Sequence, residues 1–141
     1  MKSILQPRIR DFVAWQLEHY HQNRQQLEEI KRDLIPSDTP NYSSVGGHSN
    51  EASRSTEDIT LQITSSVYVQ QLEKTVNAIG YVLGRLDPLD TKLITLVFFD
   101  GTYTVEGAAQ VVNLSRTAAY NHVNSVLVAI ALELGLINAG Y

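Results

Sequence analysis

The 141-residue sequence has no cysteine. That absence removes disulfides and thiolate metal sites, and it agrees with a reducing cytoplasm. Long apolar runs are missing too. The longest, VLVAIAL at 126–132, is far short of the roughly 20 residues that cross a bilayer. The opening MKSILQPRIR has no continuous apolar segment of the secretory kind. A soluble cytoplasmic protein with no membrane partner is expected.

Positive charge is scarce in the second part of the chain. Residues 57–141 hold four Lys/Arg (Lys74, Arg85, Lys92, Arg116) against eight Asp/Glu, a net of −4, whereas residues 1–56 balance with seven of each. Affinity for nucleic acid comes largely from neutralised phosphates and usually shows as a basic patch. The acidic part therefore starts at a disadvantage as a nucleic-acid binder.

Catalytic constellations are also lacking. The four histidines are His19, His21, His48 and His122. His19 and His21 are two apart and fall on different faces of a helix, a poor metal pair. Asp87 and Asp90 flank a helix start, where capping explains them better than acid–base chemistry. Gly46-Gly47 is followed by no GK[ST], so it is not a phosphate loop. An enzyme, a metal site and a cofactor are not expected.

Apolar residues make up 43% of the chain, enough for a core. Residues 8–35, RIRDFVAWQLEHYHQNRQQLEEIKRDLI, have no glycine or internal proline, and Val13, Tyr20, Leu27 and Leu34 recur every seven residues. Ile9, Leu17 and Ile30 widen the stripe, and Pro7 suits the first turn, where its missing N–H costs nothing. The pattern predicts one helix of roughly 42 Å at 1.5 Å per residue. A narrow stripe on so long a helix needs a partner, which points to a coiled-coil or helix-pair arm over 1–35 and to a self-association surface.

The Pro/Gly/Ser/Asn-rich stretch 36–56 breaks every periodicity and reads as a flexible linker. It ends in Ser53-Arg54-Ser55-Thr56, where Arg54 is read as a linker arginine. From Glu57 to Leu86 the helical pattern returns, with Val69, Leu72, Val76, Ile79, Leu83 and Leu86 at alternating spacings of three and four. Thr56-Glu57-Asp58 is a reasonable start for it. Gly80 and Gly84 either weaken this helix by about 1 kcal/mol each or let a neighbour come close. Asp87-Pro88 then begins a short apolar helix over 88–99, closed by Asp100-Gly101.

The remaining segment, within a helical domain over 57–141, has helix-turn-helix architecture at 104–134. Thr104 is an N-cap, and Val105, Ala108, Ala109 and Val112 form a small-residue helix. Asn113-Leu114 makes the turn, Ser115 caps the last helix, and Gly135 closes it. At about 100° per residue, Ala119, Val123, Val126, Leu127, Ile130 and Leu134 share the packing face. The opposite face of the first turns presents Thr117, Tyr120, Asn121 and Asn124, with Arg116 at the start. Asn can pair bidentately with adenine, Arg with guanine, and the Thr methyl can meet that of thymine. Ser115 and Tyr120 suit phosphate contacts. The bland alternative is a solvated polar helix face in an ordinary helical hairpin. Val128, Ala131 and Leu132 make the second half apolar nearly all round, which calls for burial against the 57–86 helix or another subunit.

With the order of these segments in view, the chain resembles the RinA/ArpU-type phage transcriptional regulators over nearly its whole length. The resemblance runs through FVAWQLEHYHQNRQQLEEIKRDLI, GGHSNEASRSTED, QLEKTVNAIGYVLGRLDPLDTKLITLVFF and YTVEGAAQVVNLSRTAAYNHVNSVLVAIALELGLI. It implies an all-α protein whose C-terminal helix-turn-helix is similar to region 4 of sigma factors. It further implies activation of late genes, double-stranded promoter DNA as ligand and host RNA polymerase as a partner, in the cytoplasm of a bacterial host. Carried over by position, Ser115, Arg116, Thr117, Tyr120 and Asn121 fall in the DNA-reading helix. Two departures stand out. Family members tend to be strongly basic after the Ser cap, where this chain has RTAAYNHVNS, and to carry a larger residue where it has Val105 and Ala108. Two other readings remain open. One is a packaging adaptor of the small-terminase sort, which joins a helix-turn-helix to long helices and assembles into rings. The other is a protein-interaction module derived from the same motif that no longer reads DNA.

Overall fold

A computed structural model describes residues 5–34 and 66–138 of the chain. The linker expected at 36–56, including Ser53-Arg54-Ser55-Thr56, lies outside the described residues. The elements are α1 (Pro7–Glu18), α2 (Tyr20–Leu34), α3 (Val67–Leu83), α4 (Pro88–Ile94), a wider π-helical turn (Thr95–Phe99), α5 (Val105–Val111) and α6 (Arg116–Glu133). No strand occurs among the described residues, so the protein is all-α there.

The single helix expected over 8–35 is two segments that meet at His19, where the backbone turns to φ −101°, ψ 12°. Local bonds of His19 accompany the break. Both the backbone N–H of His19 and its ring Nδ1 reach the carbonyl of Trp15, at 3.1 and 2.8 Å. A carbonyl only accepts, so Nδ1 carries the hydrogen. The imidazole lies flat on the Trp15 indole, with centroids 3.8 Å apart. The stripe itself is continuous across the break, because a bend leaves the side-chain period intact.

That stripe finds its cover within the chain. Val13, Leu17, Tyr20 and Leu27 are buried, with Ile9 and Ile30 half-buried beside them. Here α1 packs on α6 and on the π-turn, while α2 packs on α3. The stripe is thus not a free surface, and the reason it gave for self-association falls away. Lys31 and Glu73 add a cross-link between α2 and α3 at 2.8 Å. Both are half-exposed, so it contributes at most about 1 kcal/mol.

The start expected at Thr56-Glu57-Asp58 lies outside the described residues, and helix α3 runs from Val67. Ser66 is its N-cap, with extended backbone and a side chain that accepts from the N–H of Val69 at 3.2 Å. The expected stripe is where the core is: Val69, Leu72, Val76 and Ile79 are buried, and Leu83 and Leu86 pack at its edge. Gly80 lets α2 come close, since a Cβ there would lie 3.1 Å from the Tyr20 hydroxyl. Gly84 has no such role and closes the helix as its C-cap. Substitution at Gly80 should therefore depend on size. Gly80→Ala should change stability little, because a gain of about 1 kcal/mol in helix propensity offsets the shift forced on Tyr20. Gly80→Leu should cost about 1–3 kcal/mol through overpacking, as urea denaturation would measure.

Asp87 caps α4 by accepting from the N–H of Asp90 at 2.8 Å, with Pro88 at the first position. The helix then widens, so that the N–H of Asp100 reaches the carbonyl of Thr95 at 2.7 Å. The wide turn leaves both Phe98 and Phe99 half-buried against the main core. The Phe99 ring meets His21 edge-on at 4.5 Å, close to the α1–α2 break.

Two apolar clusters result. The main one gathers residues of α1, α2, α3, Ile94 and the second half of α6. The smaller holds Leu93, Ala108, Ala109 and Ala119, and it joins α4, α5 and the first half of α6. Helix α6 is the shared strut. Val126, Leu127, Ile130 and Ala131 are buried by the chain's own helices, so the nearly all-round apolar second half is covered within the molecule. Leu132 alone of that set remains substantially exposed, at 39%.

Candidate nucleic-acid interface

The junction between α5 and α6 is built from two successive caps. Thr104 starts α5 by accepting from the N–H of Gly107 at 3.0 Å. At its far end Asn113 adopts φ 60°. The N–H of Asn113 reaches the carbonyl of Gln110 at 3.3 Å, and that of Leu114 reaches Ala109 at 2.9 Å. This pair of bonds is a Schellman closure with asparagine in the left-handed position. Leu114 then packs on the small cluster beside Ala109. Ser115 follows at once as the N-cap of α6, accepting from the N–H of Ala118 at 3.1 Å. The same closure recurs at the end of α6, where Gly135 has φ 76° and the N–H of Leu136 bonds Ala131 at 2.9 Å. Because left-handed backbone is disfavoured for residues with a Cβ, Asn113→Gly should stabilise the chain by up to about 1 kcal/mol. Asn113→Val should destabilise it by more than that, and thermal unfolding of both variants measures the contrast.

The predicted reading residues fall into two groups. Ser115, Arg116, Thr117 and Asn121 are exposed, whereas Tyr120 and Asn124 are half-buried. The hydroxyl of Ser115 is engaged in the cap. Arg116 and Tyr120 converge on one atom: the Tyr120 hydroxyl donates to Oε2 of Glu106 at 2.7 Å, and Nε of Arg116 approaches the same oxygen at 3.3 Å. The guanidinium also sits 5.8 Å from the centre of the Tyr120 ring. The hydrogen bond from Tyr120, more than the charge of Arg116, holds the Glu106 carboxyl below its usual range. The same bond raises the Tyr120 phenol. A depressed carboxyl adds stability above its unfolded-state value, and this is lost as pH falls through the folded-state value. The raised phenol works in the opposite sense, its share being present at neutral pH and lost as alkaline pH rises through the raised value.

Asn124 meets a residue from the far end of the chain. Nη1 of Arg10 on α1 lies 3.4 Å from its Oδ1. The second group on α6, His122, faces the other way and bonds Asp90 of α4 at 2.7 Å, tying the two helices together. Among the described residues no group of three His, Cys, Asp or Glu is placed to hold a metal, and no helix is long and apolar enough to cross a membrane.

Comparison with protein-family models, with curated proteins and with solved structures gave no match.

Two residues of this surface escaped the sequence reading. Arg10 is one, since nothing local places the start of α1 beside the middle of α6. Glu106 is the other. Its position two residues after the Thr104 cap was readable, but its meeting with Tyr120 depends on the turn at Asn113. The net effect is chemical. The one cation of the α5–α6 pair is matched by a carboxylate, while a second cation enters from α1.

Proposed function

We propose that this chain is a phage-type transcriptional regulator that binds promoter DNA through a helix-turn-helix at 104–134. The observation that carries the reading is the Ser115-capped α6, whose first turns turn Thr117 and Asn121 to solvent. In such motifs the second helix enters the major groove by its N-terminal residues, and these two side chains suit adenine and thymine edges. Arg10 beside Asn124 supplements the positive charge that α6 lacks. The resemblance to RinA/ArpU proteins extends the proposal to late-gene activation in the cytoplasm of a bacterial host, with host RNA polymerase as a partner. Binding to polymerase, or self-association, would raise the effective concentration of a weak reader at its site.

A salt titration on phage promoter DNA tests this directly. Each phosphate neutralised adds about 0.9 to the slope of log K against log salt, and a slope near zero overturns the proposal. Within it, Arg10→Ala should lower that slope by about 0.9 if Arg10 contacts a phosphate.

One feature favours a second reading, a protein-interaction module without DNA binding. Residues 57–141 carry a net −4, and Glu106 already accompanies Arg116. Under that reading, Arg116→Ala together with Asn121→Ala leaves partner binding unchanged.

A further inference from the structure

We propose that Arg116 and Tyr120 form a binding site for one backbone phosphate of DNA, and that the Glu106 carboxylate fills this site in the free protein. The inference rests on the DNA-binding reading given above. Its basis is the convergence of two donors from successive turns of α6 on a single anionic oxygen, at 2.7 and 3.3 Å. A phosphodiester oxygen presents the same charge and the same acceptor geometry as that carboxylate oxygen, and both donors make stronger bonds to a charged acceptor than to a neutral one. Glu106 belongs to α5 and its two donors to α6. When such a pair docks, the first helix crosses the DNA backbone while the second lies in the groove. A backbone phosphate therefore passes between the elements that Glu106 now bridges.

The arrangement gives Glu106 a definite role. All three side chains reach solvent, with Arg116 73% and Glu106 44% exposed, so exchange of one anion for another needs no opening of the core. The carboxylate keeps Tyr120 and Arg116 in place, and it must swing away before a phosphate can enter. It then stands near the DNA as an unmatched negative charge. Glu106 thus lowers affinity twice, by competing for the donors and by repelling the ligand. The scarcity of basic residues after Ser115 and the presence of Glu106 act in the same direction. Both make binding depend on whatever else holds the protein on DNA.

The test compares full-length native protein with Glu106→Gln, which keeps the side-chain shape and removes the charge. Glu133→Gln serves as control, since it removes the same charge from the other end of α6. The probes are a mixed-sequence DNA duplex and inorganic phosphate. Glu106→Gln should bind the duplex on the order of tenfold more tightly than native protein, with a salt slope steeper by about 0.9. Adding Arg116→Gln should remove the part of the gain that comes from the freed donors and leave only the smaller part that comes from lost repulsion, and Glu133→Gln should show little of either. Equal affinity of native and Glu106→Gln protein overturns the inference while leaving DNA binding intact, and so do equal gains from Glu106→Gln and Glu133→Gln. If no variant binds the duplex, the DNA reading fails and phosphate decides the site. A shift of the Arg116 Nε–H resonance with phosphate in Glu106→Gln and not in native protein upholds it. No shift in either overturns it. A cooperative melting transition above the assay temperature for every variant confirms that each comparison is between folded proteins.

Discussion

Replacing Leu127 by alanine should lower the unfolding free energy by about 2–5 kcal/mol, a loss that urea or guanidinium denaturation reads directly. Leu127 is completely buried and lies in the main cluster, where α6 meets α1 and α3. Three helices close on that position, so none can move in to fill a cavity without leaving contacts elsewhere. Leu132 is the internal control. It lies five residues along the same helix but is 39% exposed, and Leu132→Ala should cost within about 0.5 kcal/mol. The pair of variants also tests what covers the second half of α6. If another subunit covered it, both truncations would act on protein mass in light scattering. With the chain's own α1 and α3 as cover, Leu127→Ala lowers the melting temperature and leaves the mass unchanged.

The contrast between these two leucines marks what periodicity can and cannot say. All six residues assigned by spacing to the packing face of α6 are buried. A long regular helix keeps its period over several turns, so that assignment accumulates support with length. The cover over the face is another matter. An apolar stripe states that something must lie on it and says nothing of which segment does. The stripe of Val13, Tyr20 and Leu27 therefore read equally as a coiled-coil or a helix-pair arm, and its cover is α3 and α6 of the same chain. The break at His19 was invisible for a related reason, because the seven-residue spacing passes through it unchanged. What accompanies it is one side-chain bond from His19 to the carbonyl of Trp15, which the spacing does not reveal. The N-cap of α3 is Ser66, which the sequence reading did not single out, while the start expected at Thr56-Glu57-Asp58 lies outside the described residues.

The α5–α6 junction was more legible than the surface it presents. Caps are local, so Thr104, Ser115, Asn113-Leu114 and Gly135 could be assigned from a few neighbouring residues, and each has the bond that its position requires. The charge environment of Arg116 is not local. It follows from the angle between two helices, which the left-handed Asn113 and the close packing of Ala109 against Ala119 set together. Composition gave the right warning in the wrong form. The shortage of positive charge was evident, whereas the placement of a negative charge on the remaining arginine was not.

Arg116→Ala and Asn121→Ala should each weaken DNA binding, but with different signatures. Together they should reduce affinity for the target site by about a thousandfold, taking about 2 kcal/mol for a base contact and a similar amount for a charged one. Asn121 is exposed on the face of α6 proposed to read DNA and carries no charge. Its loss should relax sequence preference and leave the salt slope as it was. Arg116 holds a phosphate in the proposed site, so its loss should weaken binding to every sequence and lower the slope by about 0.9. The Arg116 effect should also exceed that of removing a lone cation, because Glu106 then faces the DNA without its partner. Restoring neutrality with Glu106→Gln in the Arg116→Ala background should recover that excess and no more. If the recovery is absent, Glu106 does not face the ligand. If Asn121→Ala lowers the slope as Arg116→Ala does, α6 lies along the backbone rather than in the groove. Equal affinity of all variants for DNA, with partner binding unchanged, would leave the interaction module as the function of this pair of helices.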